Sequence, residues 1–134
     1  MRRLFLLAPL LLALAACQTP AAPPEAAVPE EPARVVFFTA DSAALDESAL
    51  AVVRDAAAVA KADPRLPVQV LGFAGPAGSQ DFNQVLSEAR ARRVAGQLVA
   101  EGVDRSRILI RPRGPVPFEM IPTESRRVEI RIGG

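Results

Sequence analysis

Apolar and polar positions along this chain change their period from block to block, and each period predicts an element. Arg34 to Thr39, RVVFFT, is a β-branched and aromatic run between polar neighbours, which predicts a strand. Asp46 then stands where a helix cap belongs. Leu50, Val53, Ala57 and Ala60 follow at helical spacing along one side, and Asp63-Pro64 ends the helix near Ala62. Pro67 to Phe73, PVQVLGF, predicts a second strand. Ser79 is placed to cap a long helix from Gln80 to Glu101, with Phe82, Val85, Leu86 and Ala89 as its apolar stripe and Gly102 as the stop. Arg107 to Arg111 predicts a short third strand. Pro112, Pro115, Pro117 and Pro122 then predict an irregular loop, with Phe118, Met120 and Ile121 either exposed as a partner surface or folded over the sheet edge. Arg127 to Ile132 alternates charged and apolar residues, as a strand with one buried face does. The order βαβαβ, loop, β predicts an α+β fold, a mixed sheet with two main helices on one face.

The first 34 residues follow another pattern. Met1 to Ala16, MRRLFLLAPLLLALAA, has two arginines, an apolar run too short to span a bilayer, and small residues at its end, which predicts a signal peptide. Leu14-Ala15-Ala16-Cys17 resembles the bacterial lipobox, whose cysteine is cut free and acylated, and Cys17 is the one cysteine of the chain. A lone cysteine in an exported protein has no internal disulfide partner, so lipidation also accounts for its being single. Acyl burial contributes about 0.8 kcal/mol per methylene, so several chains give lasting attachment. Gln18 after the cysteine, by the same resemblance, directs the protein to the outer membrane. Residues 17–34 are then the lipidated cysteine and a linker, which holds five prolines and almost nothing large and apolar. Extended at about 3.1 Å per residue, the linker reaches on the order of 50 Å.

Composition narrows the function. The chain has 134 residues, no histidine, one cysteine, and 16 basic against 15 acidic side chains. Without imidazole there is no Ser-His-Asp triad and no common zinc set, so catalytic and metal sites are not expected and no cofactor is implied. Arg2 and Arg3 leave with the signal peptide, so the mature chain is no longer basic. Arg92, Arg93, Arg105, Arg107, Arg111 and Arg113 are read as a solvated face rather than a nucleic-acid surface.

The candidate site lies between the second strand and the second helix. Gly72, Gly75 and Gly78 precede the helix, but their spacing is not that of a nucleotide loop, and a turn is the simpler reading. Within the helix, Asn83 and Arg90 are seven residues apart and share one column, with Ser87 beside it. Leu86 and Val94 flank the column and set Arg90 at the edge of the apolar stripe. Such a guanidinium calls for a carboxylate, either a ligand's or an internal one from Asp41, Asp81 or Glu129.

The run VFFTADSAAL at Val36 to Leu45, with Gly72, Gly78-Ser79, Asn83, Leu86-Ser87-Glu88, Arg90-Ala91, Val94, Gly102-Val103 and Arg126-Arg127-Val128-Glu129-Ile130, resembles the OmpA-like peptidoglycan-associating domain over residues 35–134. The resemblance implies a β/α sandwich that grips the diaminopimelate of a peptidoglycan stem peptide. Arg90 then matches the residue that takes the ligand carboxylate, and Asn83 matches the family's asparagine. The aspartate that takes the ligand ammonium is replaced by Gly75, and the asparagine of the family's Asn-Arg-Arg run by Ser125. Asp41, ahead of Asp81, is the acid expected to compensate. The expected peptidoglycan site is therefore Arg90, Asn83, Gly75 and Asp41, in a non-enzymatic periplasmic domain that tethers the outer membrane to the wall. The alternative is a degenerate domain that serves as a protein-interaction module among envelope proteins.

Overall fold

The computed structural model describes residues 31–134. The expected signal peptide, Cys17 and most of the linker lie outside them. The elements are β1 (Arg34–Phe37), α1 (Glu47–Ala62), β2 (Val68–Ala74), α2 (Gln80–Ala100), β3 (Ile108–Pro115) and β4 (Arg127–Ile132), with 3-10 turns at Arg105–Arg107 and Pro122–Ser125. One sheet of order β1-β4-β2-β3 forms, and α1 and α2 pack together on one of its faces. β4 pairs antiparallel with β1 and β2, while β2 and β3, joined through α2, are parallel. This is the expected α+β fold with a mixed sheet.

Local chemistry sets the ends of the helices. Asp46 accepts a hydrogen bond from Ala49 N at 2.7 Å, and Ser79 accepts from Phe82 N at 3.3 Å, so both predicted caps form. After α2, Gly102 has φ +101°, and the amides of Gly102 and Val103 donate back to Val99 O and Leu98 O, which closes the last turn. The buried side of α1 is Ala49, Val53, Ala56, Ala57 and Ala60, with Leu50 only half-buried at its margin. Against it stand Val68 and Val70 of β2 and Val128, Ile130 and Ile132 of β4, all nearly inaccessible. Each of the β4 side chains gains about 1.5–3 kcal/mol by leaving water.

Three sequence expectations are corrected. The stripe of α2 is displaced by one residue. Phe82, Val85 and Ala89 are exposed, and the buried face is Asn83, Leu86, Ser87, Arg90, Ala91, Val94, Ala95 and Leu98. Gly72 fits this placement, since its missing side chain lets α2 settle directly on β2. A β-carbon there would overlap the Ser87 carbonyl oxygen and lie 2.9 Å from Ala91 Cβ.

Second, β3 does not stop at Arg111 but runs through Pro112 to Pro115. It is an edge strand, where a residue lacking N–H is tolerated. The register shifts beside Gly72, and Ser87 Oγ accepts from Gly114 N at 3.0 Å, which satisfies a displaced amide. Third, Arg107 does not join a solvated face. It donates to the carbonyls of Ala60, Asp63 and Leu66 at 2.7–3.0 Å, fastening the end of α1 to the start of β3.

Candidate functional site

At one end of the sheet, three connections meet the N-terminal half of α2: β1 to α1, β2 to α2, and β3 to β4. Between them lies a cavity of about 120 Å³ lined by Ala40, Asp41, Gly75, Pro76, Ala77, Asn83, Leu86, Arg90, Phe118, Pro122, Ser125 and Arg126. Asp41, Gly75, Asn83 and Arg90, named from sequence, therefore stand around one space. Asp81 is exposed and lies outside its lining.

Arg90 is the floor. The sequence placed it at the edge of an apolar stripe, but its side chain is fully buried. It meets no internal carboxylate among the described residues. Nε donates to Ser42 O at 2.8 Å, one terminal nitrogen to Phe73 O at 3.1 Å, and the other to Thr39 O at 3.1 Å. The guanidinium also lies over the Phe38 ring, 5.3 Å from its centroid. Burial pulls its pKa down to about 10, the positive charge of Arg126 adds to the effect, and Asp41 opposes it. It stays protonated at neutral pH, as guanidinium with five N–H donors, three of them engaged by carbonyls.

Those carbonyls hold the walls. Two belong to the turn that carries Asp41, which is exposed and has φ +51°, a left-handed conformation that aspartate tolerates better than most residues. The third is Phe73 O, two residues before Gly75. Asn83 is buried, and its Nδ2 donates to Ala77 O at 2.7 Å, pinning the turn after Gly75. That bond fixes which way the amide faces, and no group among the described residues donates to its Oδ1. At Gly75 the backbone has no positive φ, and a β-carbon would meet only Ser125 Oγ, at 3.3 Å.

Sequence reasoning missed Arg126. It is half-buried, donates to Phe38 O and Thr123 Oγ1 at 3.1 Å, and supplies the cavity's second guanidinium. Its signal was available in the closing Arg126-Arg127 pair, which strand alternation sends to different surroundings: Arg127 lies over the Phe73 ring on the other face of the sheet. The loop before it is also ordered. Glu124 accepts from the amides of Glu119 and Met120 at 3.0 and 3.3 Å, and Phe118, Met120 and Ile121 remain exposed.

No helix among the described residues is long and apolar enough to cross a membrane, and no cluster of potential metal ligands occurs among them. A two-layer α+β domain with a small charged cavity at one end of its sheet is thus defined. The OmpA family model matches residues 37–118, and the chain belongs to the OmpA family. It is 36% identical to the probable lipoprotein YiaD of Escherichia coli (strain K12) over 72% of this chain and 47% of that protein. It is 37% identical to outer membrane protein A of Serratia odorifera over 60% of this chain and 33% of that protein. The chain thus spans less than half the length of either relative. Among solved structures, the peptidoglycan-associated lipoprotein from Burkholderia pseudomallei superposes with a TM-score of 0.69 at 22% identity, covering 74% of this chain and 89% of that one, a likeness of fold.

Proposed function

We propose that the chain is an outer-membrane lipoprotein, anchored through Cys17, whose periplasmic domain binds peptidoglycan noncovalently and ties the envelope to the wall. The observation that carries this reading is the convergence of Asp41, Gly75, Asn83 and Arg90, from separate segments, on one cavity. Its two guanidiniums suit the carboxylate of a stem-peptide diamino acid. Asn83 shapes the turn and offers an acceptor, and Asp41 is the only acid on the wall. Similarity to a probable lipoprotein and to an outer membrane protein, with the fold of a peptidoglycan-associated lipoprotein, supports the same reading.

A sacculus pull-down tests it. The chain should sediment with purified sacculi, and less so after Arg126→Gln, which removes one guanidinium from the cavity and leaves the three Arg90 hydrogen bonds in place. Absence of wild-type retention would exclude the reading. Exposed Phe82, Val85, Phe118, Met120 and Ile121 favour a second one, a protein-interaction module in an envelope assembly. Crosslinking in cells that recovers wall fragments and no protein would count against it.

A further inference from the structure

The proposed stem-peptide site has an unequal set of charges, and the inference below rests on that reading. Arg90 beneath the cavity and Arg126 in its wall are positive, and Asp41 is the only carboxylate among the lining residues. A ligand group carrying both a carboxylate and an ammonium is neutral and leaves the excess positive charge uncompensated. An ammonium in the cavity finds no acid at position 75. Asp41 is exposed, so water and salt screen its charge.

Acylating the ligand amine changes each of these terms. The ammonium becomes a neutral amide N–H, and the group as a whole becomes an anion, complementary to the two guanidiniums. A neutral N–H requires only a neutral acceptor, and Asn83 Oδ1 is one without a donor among the described residues. No side chain projects from position 75, so an acyl substituent would meet backbone there, with Ser125 Oγ 3.3 Å from where a β-carbon would stand.

We propose that the cavity selects peptide carboxylates whose neighbouring amine is acylated, the chemistry of cross-linked rather than free stem peptides. Isothermal titration of the full chain with two synthetic stem tripeptides tests this, one with a free side-chain amine on its diamino acid and the other with that amine N-acetylated. The acetylated peptide should bind wild type about tenfold more tightly than the free one, the equivalent of 1.4 kcal/mol, and Gly75→Asp should reverse the order. Equal wild-type affinity for the two peptides, or preference for the free amine, overturns the inference while leaving wall binding intact. Failure of Gly75→Asp to reverse the order overturns the role given to position 75. Binding of neither peptide overturns the inference outright, and sacculus retention in the same preparation decides whether the wall-binding reading falls with it.

Discussion

Gly75→Asp places a carboxylate where the cavity has none, and its consequences can be worked out in advance. The backbone at 75 has no positive φ, so an L-residue is not strained there. Its β-carbon would press on Ser125 Oγ at 3.3 Å, a hydroxyl that already donates to Pro122 O at 2.8 Å, so the contact is tight but yields at a hydroxyl rather than at backbone. Losing a glycine also restricts the unfolded chain, which favours folding by about 0.4–1 kcal/mol. Those terms offset, and the melting temperature should move by less than about 8 °C, the shift that roughly 1 kcal/mol produces in a domain of this size. For a ligand with a free ammonium, the new charge-assisted hydrogen bond contributes about 1.5–3 kcal/mol. At 1.4 kcal/mol per decade, affinity for the free-amine tripeptide should rise roughly ten- to a hundredfold. Isothermal titration and graded sacculus pull-downs read it directly. Gly75→Asn, similar in shape and uncharged, should gain nothing comparable. A folded Gly75→Asp with unchanged affinity, or an equal gain from Gly75→Asn, would refute the reasoning.

Other substitutions separate the scaffold from the site. Arg90→Ala leaves the carbonyls of Thr39, Ser42 and Phe73 without their donor, at about 1–3 kcal/mol each, so thermal denaturation by circular dichroism should show a fall of at least about 10 °C. Gly72→Ala drives a methyl into the Ser87 carbonyl and Ala91 and should destabilise by about 3 kcal/mol, measured by urea denaturation; a change under about 1 kcal/mol would contradict the close helix approach. Asn83→Ala frees the turn after Gly75 and should speed amide exchange there, with about 1–3 kcal/mol lost. Glu124 has its pKa lowered from 4.5 by the amide of Met120 first and Glu119 second. Because the folded value lies below the unfolded one, the clamp is complete above pH 4.5 and is lost as pH falls through the lowered value. Protection of the Glu119 and Met120 amides, followed by NMR exchange, should fall only in that acid range, and in Glu124→Gln should not depend on it.

Strands β1, β2 and β4 and both helix caps were legible because each depends on nearest neighbours: a β-branched run, strict alternation, or an Asp or Ser before a helical repeat. β3 was legible only in its first half, since prolines argue against a strand until its place at the sheet edge is known. The stripe of α2 was misread for a reason tied to the site. Asn83, Ser87 and Arg90 face inward and Phe82 and Val85 outward, the reverse of what hydrophobicity dictates, and the inward groups find partners outside the helix: carbonyls for Asn83 and Arg90, and the Gly114 amide for Ser87. A local rule fails where the cavity is built. Gly75, Asn83 and Arg90 were individually visible through family resemblance, and Asp41 as the acid expected to compensate for Gly75. Arg126 was not singled out, because it stands just before β4, where alternation sets it opposite to Arg127 without saying that a cavity lies there.

The three hydrogen bonds of Arg90 make it a keystone of the scaffold independent of any ligand. Substitution of this residue therefore mixes unfolding with loss of binding, and an OmpA-family chain that bound nothing in this cavity would still be under pressure to keep it. Position 75 carries no such duty: its backbone is relaxed, and a β-carbon there would meet only the Ser125 hydroxyl. In related chains the residue at 75 is accordingly the sharper reporter of ligand use, and the presence of the arginine alone is a record of architecture.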